Sequence, residues 1–195
     1  MRIVAIDHLT LDGVMQAPGR ADEDTRDGFA HGGWASEAVN APDSTIGDAM
    51  GARMAASDGL LLGRRTYDDL LASWNAQGGP FKDALNNAPK YVASTRPTEP
   101  PPWPNTTWLG PDVVADVRAL QARPGRELHT LGSGQLMNTL IEHRLVDEYL
   151  LIIHPIVLGS GRRLFPVNNI PTPLELIDAV TTANGVILAT YRSAG

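Results

Sequence analysis

Residues 127–149 carry the pattern that most restricts how this chain can fold. The apolar segment ELHTL leads into Gly132, Ser133 and Gly134, and an amphipathic helical pattern and a second apolar segment follow. A strand, a glycine turn and a helix in this order predict one strand–helix–strand unit of an α/β sheet. The free N–H groups at the start of such a helix face the turn, so the sequence also predicts an anion site there.

The same alternation of apolar segments and helical patterns runs along the whole chain. It predicts a three-layer α/β sandwich with a mixed, mostly parallel sheet and an antiparallel C-terminal edge. The length of 195 residues and the lack of an evident linker predict a single domain over residues 1–195. We predict strands over residues 2–9, 60–62, 90–94, 108–109 and 146–158, helices over residues 44–57, 67–74 and 113–121, and a final hairpin of strands 174–180 and 186–191.

The composition excludes several classes of function. Without cysteine the chain has no disulfide, thiol nucleophile or zinc–thiolate site, and its five histidines lack ligand spacing, so we predict no metal site. The net charge of −6 argues against nucleic acid or an acidic membrane as a partner. The N-terminal segment resembles neither a signal peptide nor a membrane span, so we expect a cytoplasmic protein.

Three polar junctions follow predicted strands and are the candidate cofactor site. Parallel strands bring such junctions to one edge of a sheet, where backbone amides and arginine forks bind phosphate. A single glycine turn is equally compatible with a tight strand–helix connection, and Thr66 with a helix N-cap, but three junctions together suggest a dinucleotide. The junctions comprise Gly63, Arg64, Arg65 and Thr66, then Ser94, Thr95 and Arg96, then Leu131, Gly132, Ser133, Gly134 and Gln135.

Residues 12–33 show no periodicity and predict a long loop that covers the site, which we call the flap. Asp12 is compatible with an ordinary Asp-Gly turn or with a catalytic contact to substrate or a proton relay. His31 is a candidate proton donor, and Trp34 is a candidate substrate contact, although packing is the commoner role of tryptophan. Residues 159–163 are compatible with an anion loop or with a hairpin-type turn, and we assign them no role.

Together these motifs resemble the dihydrofolate reductase-like superfamily, in the branch of the C-terminal reductase domain of bifunctional riboflavin-biosynthesis proteins. The resemblance spans nearly the whole chain. It lies in TLDG at residues 10–13, LGRRTY at 62–67, GSG at 132–134 and PIVLGSG at 155–161.

The resemblance implies an enzyme that binds NADPH and transfers hydride to a small heterocyclic or conjugated substrate, for example one of the 5-amino-6-ribosylaminouracil type. By the same analogy, residues 63–66 lie near the cofactor phosphates, residues 94–96 near the 2′-phosphate and residues 132–135 at the pyrophosphate. A homodimer is also implied, and we expect the apolar residues 149–158 at its interface.

The sequence departs from dihydrofolate reductases in one respect. Those enzymes carry a carboxylate five residues after a tryptophan of the flap, and the corresponding position here is Val39. Folate reduction is therefore disfavoured. An NADP(H)-binding sensor without turnover and an interaction protein on an enzyme scaffold remain open as alternatives.

Overall fold

A computed structural model of the chain, which describes residues 1–165 and 171–194, has an eight-stranded sheet at its centre. The strand order is β4-β3-β2-β5-β1-β6-β8-β7, with the first six strands parallel and β7 and β8 antiparallel at one edge. The predicted mixed sheet is confirmed. The strands are β1 (Arg2–Thr10), β2 (Ser57–Gly63), β3 (Lys90–Ala93), β4 (Thr106–Trp108), β5 (Glu127–Leu131), β6 (Glu148–His154), β7 (Leu174–Thr181) and β8 (Ile187–Ser193).

Helices cover both faces of this sheet, as the three-layer prediction requires. Ile46, Leu71 and Leu85 of α2, α3 and α4 belong to the core on one face, and Val117 and Leu140 of α5 and α6 to the core on the other. The helices are α1 (Ser36–Val39), α2 (Thr45–Ala56), α3 (Arg64–Gln77), α4 (Pro80–Asn87), α5 (Val113–Gln121) and α6 (Gly134–Glu142), with a 3-10 turn at Arg26–Gly28.

Strand β1 lies between β5 and β6, and both of its faces are covered. Ile3, Val4 and Ala5 have no exposed surface. A continuous apolar run fits this position because a central parallel strand meets a helical layer on each side. The carboxyl ends of β2, β5 and β1 therefore lie side by side at one edge of the sheet.

Helix α4 is absent from the sequence prediction, and its end is stabilised from outside the helix. The ammonium group of Lys90, which is 1% exposed, donates to the carbonyl oxygens of Leu85 at 2.6 Å and Ala88 at 2.7 Å. These carbonyls lie at the end of α4, where the helix has no further N–H groups to donate to them. A cap supplied from the following strand leaves no pattern within the helical segment itself.

The C-terminal part of the sheet corrects two expectations. The strand predicted over residues 146–158 is shorter, because β6 ends at His154. The dimer interface expected at residues 149–158 is wrong for residues 149–154, since β6 is paired with β1 and β8 and its side chains are mostly buried. Several apolar side chains near this edge stay exposed, including Leu176 at 54% and Val180 at 45% on β7 and Ile187 at 37% on β8.

Candidate cofactor and substrate site

The chain leaves the neighbouring strands β2 and β5 toward opposite faces of the sheet. After β2 it continues directly into α3 on one face, and after β5 it turns into α6 on the other. A crevice opens at the carboxyl edge where adjacent parallel strands diverge in this way, and ligands of α/β sheets bind in that crevice. Two of the three predicted junctions flank it.

Side-chain hydrogen bonds join these two junctions. The hydroxyl oxygen of Thr66 accepts from the backbone N–H of Ser133 at 3.1 Å. The hydroxyl of Ser133 accepts from the N–H of Gly63 at 3.0 Å and donates to the carbonyl of Leu131 at 3.0 Å. The first turns of α3 and α6 are therefore fixed relative to each other, although they pack on opposite faces of the sheet.

The glycine turn before α6 exposes hydrogen-bond donors at this edge. Gly132 and Ser133 both have left-handed backbone conformations, with φ of 55° and 58°. The N–H groups of Gly134 and Gln135 have no acceptor within residues 1–165 and 171–194. Unpaired amides at a helix start are the donors that bind anions. A side chain at position 134 would meet the sulfur of Met15 at 3.3 Å, so the flap packs closely against this turn.

The third junction is attached to the first through Arg64. Its guanidinium donates to the carbonyl of Arg96 at 2.7 Å and to the carboxylate of Asp68 at 2.7 Å, and it stacks 4.9 Å from the ring centre of Trp108. Arg64 is thus occupied by protein groups. In contrast, the exposed guanidinium groups of Arg65 and Arg96 form no hydrogen bond or ion pair with the described residues. These two cations are available to an anion.

The remaining residues of the third junction make local contacts. The hydroxyl of Ser94 accepts from the backbone N–H of Arg96 at 3.0 Å, and Thr95 is exposed. This bond shapes the loop that carries the Arg96 side chain. The structure therefore brings all three junctions into one connected group.

The flap is attached to its surroundings at several points. Arg20 donates to Asp69 at 2.5 Å and to Ser73 at 3.1 Å, both on α3. The indole N–H of Trp34 donates to the carbonyl of Gln16 at 2.7 Å, and the Gln16 side chain accepts from the N–H of Arg162 at 3.0 Å. The flap is thus held at the carboxyl edge between α3 and the loop that follows β6.

Asp12 fastens the start of the flap to that same loop. Its carboxylate accepts from the hydroxyl of Thr10 at 2.6 Å and from the N–H groups of Leu158 at 3.2 Å and Gly159 at 2.9 Å. The bond from Thr10, with the two amides, lowers the pKa of Asp12 to about 2. An ionised carboxylate with these partners fits loop attachment better than proton donation.

Residues 159–163 also bind the start of the flap. Arg163 donates to the carbonyl of Asp12 at 2.8 Å and pairs with Val14 in an antiparallel bridge. The hairpin-type turn considered for this segment is wrong, because the segment pairs with the flap instead of folding back on β6.

Of the candidate substrate contacts, Trp34 and His31 lie in different surroundings. His31 is exposed and contacts the ring of Phe29 edge-on at 5.6 Å. Trp34 packs edge-on against His154 at 5.3 Å, and Nε2 of His154 lies 2.9 Å from Nδ1 of His8. Sequence reasoning missed this histidine pair, because its members are 146 residues apart and neither sits in a motif.

The position of the missing carboxylate is occupied by Val39. Val39 ends α1 and is 45% exposed. The carboxylate of Asp43 accepts from the N–H groups of Ala183 at 2.8 Å and Thr45 at 2.9 Å. Asp43 therefore holds the start of α2 to the β7–β8 turn.

Two hollows on the surface lie away from the junctions. One of about 510 Å³ is lined by residues including Val113 and Thr139, and one of about 420 Å³ by residues including Arg2 and Arg126. Neither contains a candidate residue. The carboxyl edge is the candidate site because the backbone donors of the glycine turn and the cations Arg65 and Arg96 lie there.

Sequence and fold comparisons agree on where this architecture belongs. Residues 5–188 match the family model of the RibD C-terminal domain. The chain belongs to this family. This RibD C-terminal domain is 28% identical to the uncharacterized protein YyaP of Bacillus subtilis (strain 168). The alignment of 176 residues covers 86% of this chain and 90% of that protein.

Solved structures show the same fold at low identity. A putative riboflavin biosynthesis protein from Shewanella sp. PV-4 superposes with a TM-score of 0.71 and 20% identity over the whole of both chains. A pyrimidine reductase-like protein from Corynebacterium diphtheriae gives 0.64 with 12% identity, over all of this chain and 92% of that one. Dihydrofolate reductase from Enterococcus faecalis, complexed with NADP(H), gives 0.57 with 13% identity, over 100% and 97% of the two chains.

The RibD C-terminal domain therefore has a dihydrofolate reductase-like fold, and its family and fold are those of reductases. Within the described ranges, no helix has both the length and the apolar character needed to cross a membrane. Nor do the described residues place three or more histidine or acidic side chains where they would hold a metal ion.

Proposed function

We propose that this RibD C-terminal domain is an NADPH-dependent reductase of a small heterocyclic or conjugated substrate, of the 5-amino-6-ribosylaminouracil type or related. The observation that carries the proposal is the connection of three anion-type junctions at one edge of the sheet through Thr66, Ser133 and Arg64. A dinucleotide phosphate is an extended polyanion, so it needs several such points in fixed relation.

The donor groups present fit such a cofactor. The free amides of Gly134 and Gln135 bind a pyrophosphate without carrying charge. Arg65, which makes no hydrogen bond or ion pair with the described residues but lies near enough to Asp24 to lower its pKa, adds a cation beside the start of α3. Arg96 binds the 2′-phosphate as a fork, with Ser94 and Thr95 shaping its loop.

NADPH supplies the hydride when it is bound, and the chain supplies orientation and exclusion of water. The flap, held by Arg20 and Asp12, covers the carboxyl edge and carries Trp34 to the substrate side. His31 lies on the same flap as a second candidate substrate contact. The low pKa of Asp12 gives it the role of a positioning residue that holds the flap in place.

The experiment is a titration with NADPH and NADH, followed by nicotinamide fluorescence, and then a screen for NADPH oxidation. The acceptors are a 5-amino-6-ribosylaminouracil, dihydrofolate and simple conjugated carbonyl compounds. Binding of NADPH with oxidation by one acceptor supports the proposal. A chain that binds neither nucleotide contradicts it.

A second candidate is an NADP(H) sensor without turnover, and the absence of a carboxylate at Val39 favours it. Binding of NADPH without oxidation by any acceptor would select this alternative. The same absence makes oxidation by dihydrofolate the less expected result.

A homodimer and a cytoplasmic location also remain proposals. The exposed apolar side chains of β7 support a dimer through that edge, because unpaired edge strands associate readily. Sedimentation equilibrium should show a dimer for the natural chain and a monomer for Val180→Asp. A monomeric natural chain would contradict the dimer.

A further inference from the structure

His8 and His154 form a hydrogen-bonded pair at the carboxyl ends of β1 and β6. Nδ1 of His8 and Nε2 of His154 are 2.9 Å apart, and their ring centres are 5.1 Å apart. His154 is 2% exposed and lies against Trp34, whereas His8 keeps part of its surface in contact with solvent. Neither histidine has a role in holding the cofactor.

The pair is placed next to the proposed cofactor site. Strand β1 is paired with β5 in the register that sets Ile6 opposite Leu131. His8 lies two residues beyond Ile6 on β1, level with the glycine turn that follows β5. His8 thus lies near the glycine turn and, through its contact with His154, near Trp34, which follows the flap.

The chemistry of the hydrogen bond fixes the protonation of the two rings. One nitrogen donates and the other accepts, so the two rings cannot both be protonated. Burial lowers the pKa of His8 to about 3, with a further contribution from His154, and lowers the pKa of His154 to about 4. Asp7, the adjacent carboxyl on β1, points to the opposite face of the sheet. The pair is neutral near pH 7.

A neutral pair of this kind has one free N–H at one end and one free lone pair at the other. When the free N–H gives up its proton, the shared proton can cross the hydrogen bond, and the far nitrogen accepts a replacement. Both rings end neutral, with their tautomers exchanged. This transfer needs no imidazolium, which the low pKa values disfavour.

We propose that His8 contacts the substrate and donates the proton that accompanies its reduction, and that His154 replaces this proton. The proposal rests on the proposed reductase function. The substrate is a heterocycle or conjugated compound with a C=N or C=C bond. Bound NADPH would supply the hydride to one atom of this bond and would be oxidised, and the other atom would gain the proton of His8 Nε2. The Nε2 proton of His154 moves to His8 Nδ1, and Nδ1 of His154 takes a proton from water.

The first test needs no turnover and uses ¹⁵N-histidine NMR of the natural chain. We expect both rings of the pair to stay neutral to below pH 5. With NADPH present, a 5-amino-6-ribosylaminouracil should shift the ring nitrogens of His8 and leave those of His143 unchanged. Independent titration of His8 and His154 near 6.5, or no shift at His8, would overturn the proposal.

The second test compares His8→Gln and His154→Gln with His143→Gln as the matched control. We expect kcat with the same acceptor to fall by about 100-fold for His8→Gln, with the Kd of NADPH changed less than twofold. Added imidazole should restore part of the rate of His8→Gly. Natural kcat in His8→Gln would overturn the assignment.

Failure of the proposed reductase function and failure of the proposed proton transfer from His8 give different experimental results. A natural chain that does not bind NADPH contradicts the reductase before any histidine variant is measured. If the natural chain oxidises NADPH with an acceptor and His8→Gln is equally active, only the proposed proton transfer from His8 is contradicted.

Discussion

Arg64, Arg65 and Arg96 carry the same charge and differ in what they contact. Arg64 is held by Asp68, by a backbone carbonyl and by the Trp108 ring, whereas the other two arginines are unpaired among the described residues. The Arg64–Asp68 pair has the i,i+4 spacing that sequence can show. The contact with Trp108 depends on how β4 is placed, so sequence reasoning could not separate a structural arginine from two available ones.

Replacing Arg96 by Ala should separate the two nucleotides. The affinity for NADPH should fall by about 10- to 100-fold, because a charge-assisted bond to the 2′-phosphate is lost, and the affinity for NADH should stay nearly unchanged. Fluorescence titration of both nucleotides measures this, with the exposed Arg118→Ala on α5 as control. Equal weakening of NADPH and NADH would refute the role of Arg96.

The histidine pair should make the fold sensitive to mild acid. The folded-state pKa values of about 3 and about 4 lie below the ordinary value, so the unfolded chain binds more protons below about pH 6.5. The contribution of the pair to stability should therefore fall as the pH drops from about 6.5 toward 4, whereas burial, which raises the pKa of Asp7, acts in the opposite direction. Asp12, with a pKa of about 2, adds to the loss only at lower pH, below the ordinary value of 3.8. The lowered pKa of the buried His129 acts in the same direction as the pair.

Urea unfolding at pH 7 and pH 4.5 checks this prediction and separates the pair from His129. The doubly substituted His8→Gln, His154→Gln chain should lose less stability between the two pH values than the natural chain. His143→Gln, at an exposed position, should behave as the natural chain does. An identical pH dependence in all three chains would show that the pair is not neutral in the folded state.

At the scale of elements, the bond between Thr66 and Ser133 joins the starts of α3 and α6. Thr66→Val removes the acceptor and keeps the shape of the side chain. We expect the free energy of unfolding to fall by about 1 kcal/mol and the affinities for NADPH and NADH to fall together, by about tenfold.

Thr139→Val is the matched control for Thr66→Val, because the Thr139 hydroxyl bonds only within α6, to the carbonyl of Gln135. Thermal unfolding and nucleotide titration of both variants give the comparison. Undiminished nucleotide affinity in Thr66→Val would mean that the two helix starts bind the cofactor without needing to be joined.

Elements whose ends are determined locally were predictable. Helix α5 has the bounds that the sequence predicts. Both of its ends are determined locally, since Asp112 caps it through the N–H of Ala115 at 2.9 Å and Pro124 follows its end. Helix α4 was not predicted, although Pro80 in its first turn is a local start signal, and its end depends on the ammonium group of Lys90 in the next strand. The groups that end α5 lie next to it in the sequence, whereas the group that caps the end of α4 is placed there by tertiary folding.

At the scale of the whole molecule, parallel pairing explains why much of the site could be foreseen. Parallel strands bring their carboxyl ends to one edge, so three junctions that are distant in sequence meet without any knowledge of their contacts. The pair of His8 and His154 depends instead on the register of β1 against β6 and on side-chain orientation. Sequence analysis of a single chain contains no information of that kind.

The order of strands also explains the error about the dimer interface. An apolar run such as residues 149–154 is expected either inside a sheet or at an interface, and the sequence does not distinguish the two. The C-terminal hairpin settles the matter, because β8 pairs with β6 and leaves β7 as the exposed edge. The apolar side chains of β7 then become the surface to test.

A crystal structure with NADPH bound would show which residues of the chain hold the cofactor. We predict the pyrophosphate on the amides of Gly134 and Gln135 and the 2′-phosphate at Arg96, with Arg64 still bound to Asp68. The nicotinamide should lie on the side of His8 and Trp34. Cofactor bound away from the three junctions, or a 2′-phosphate without contact to Arg96, would contradict the account.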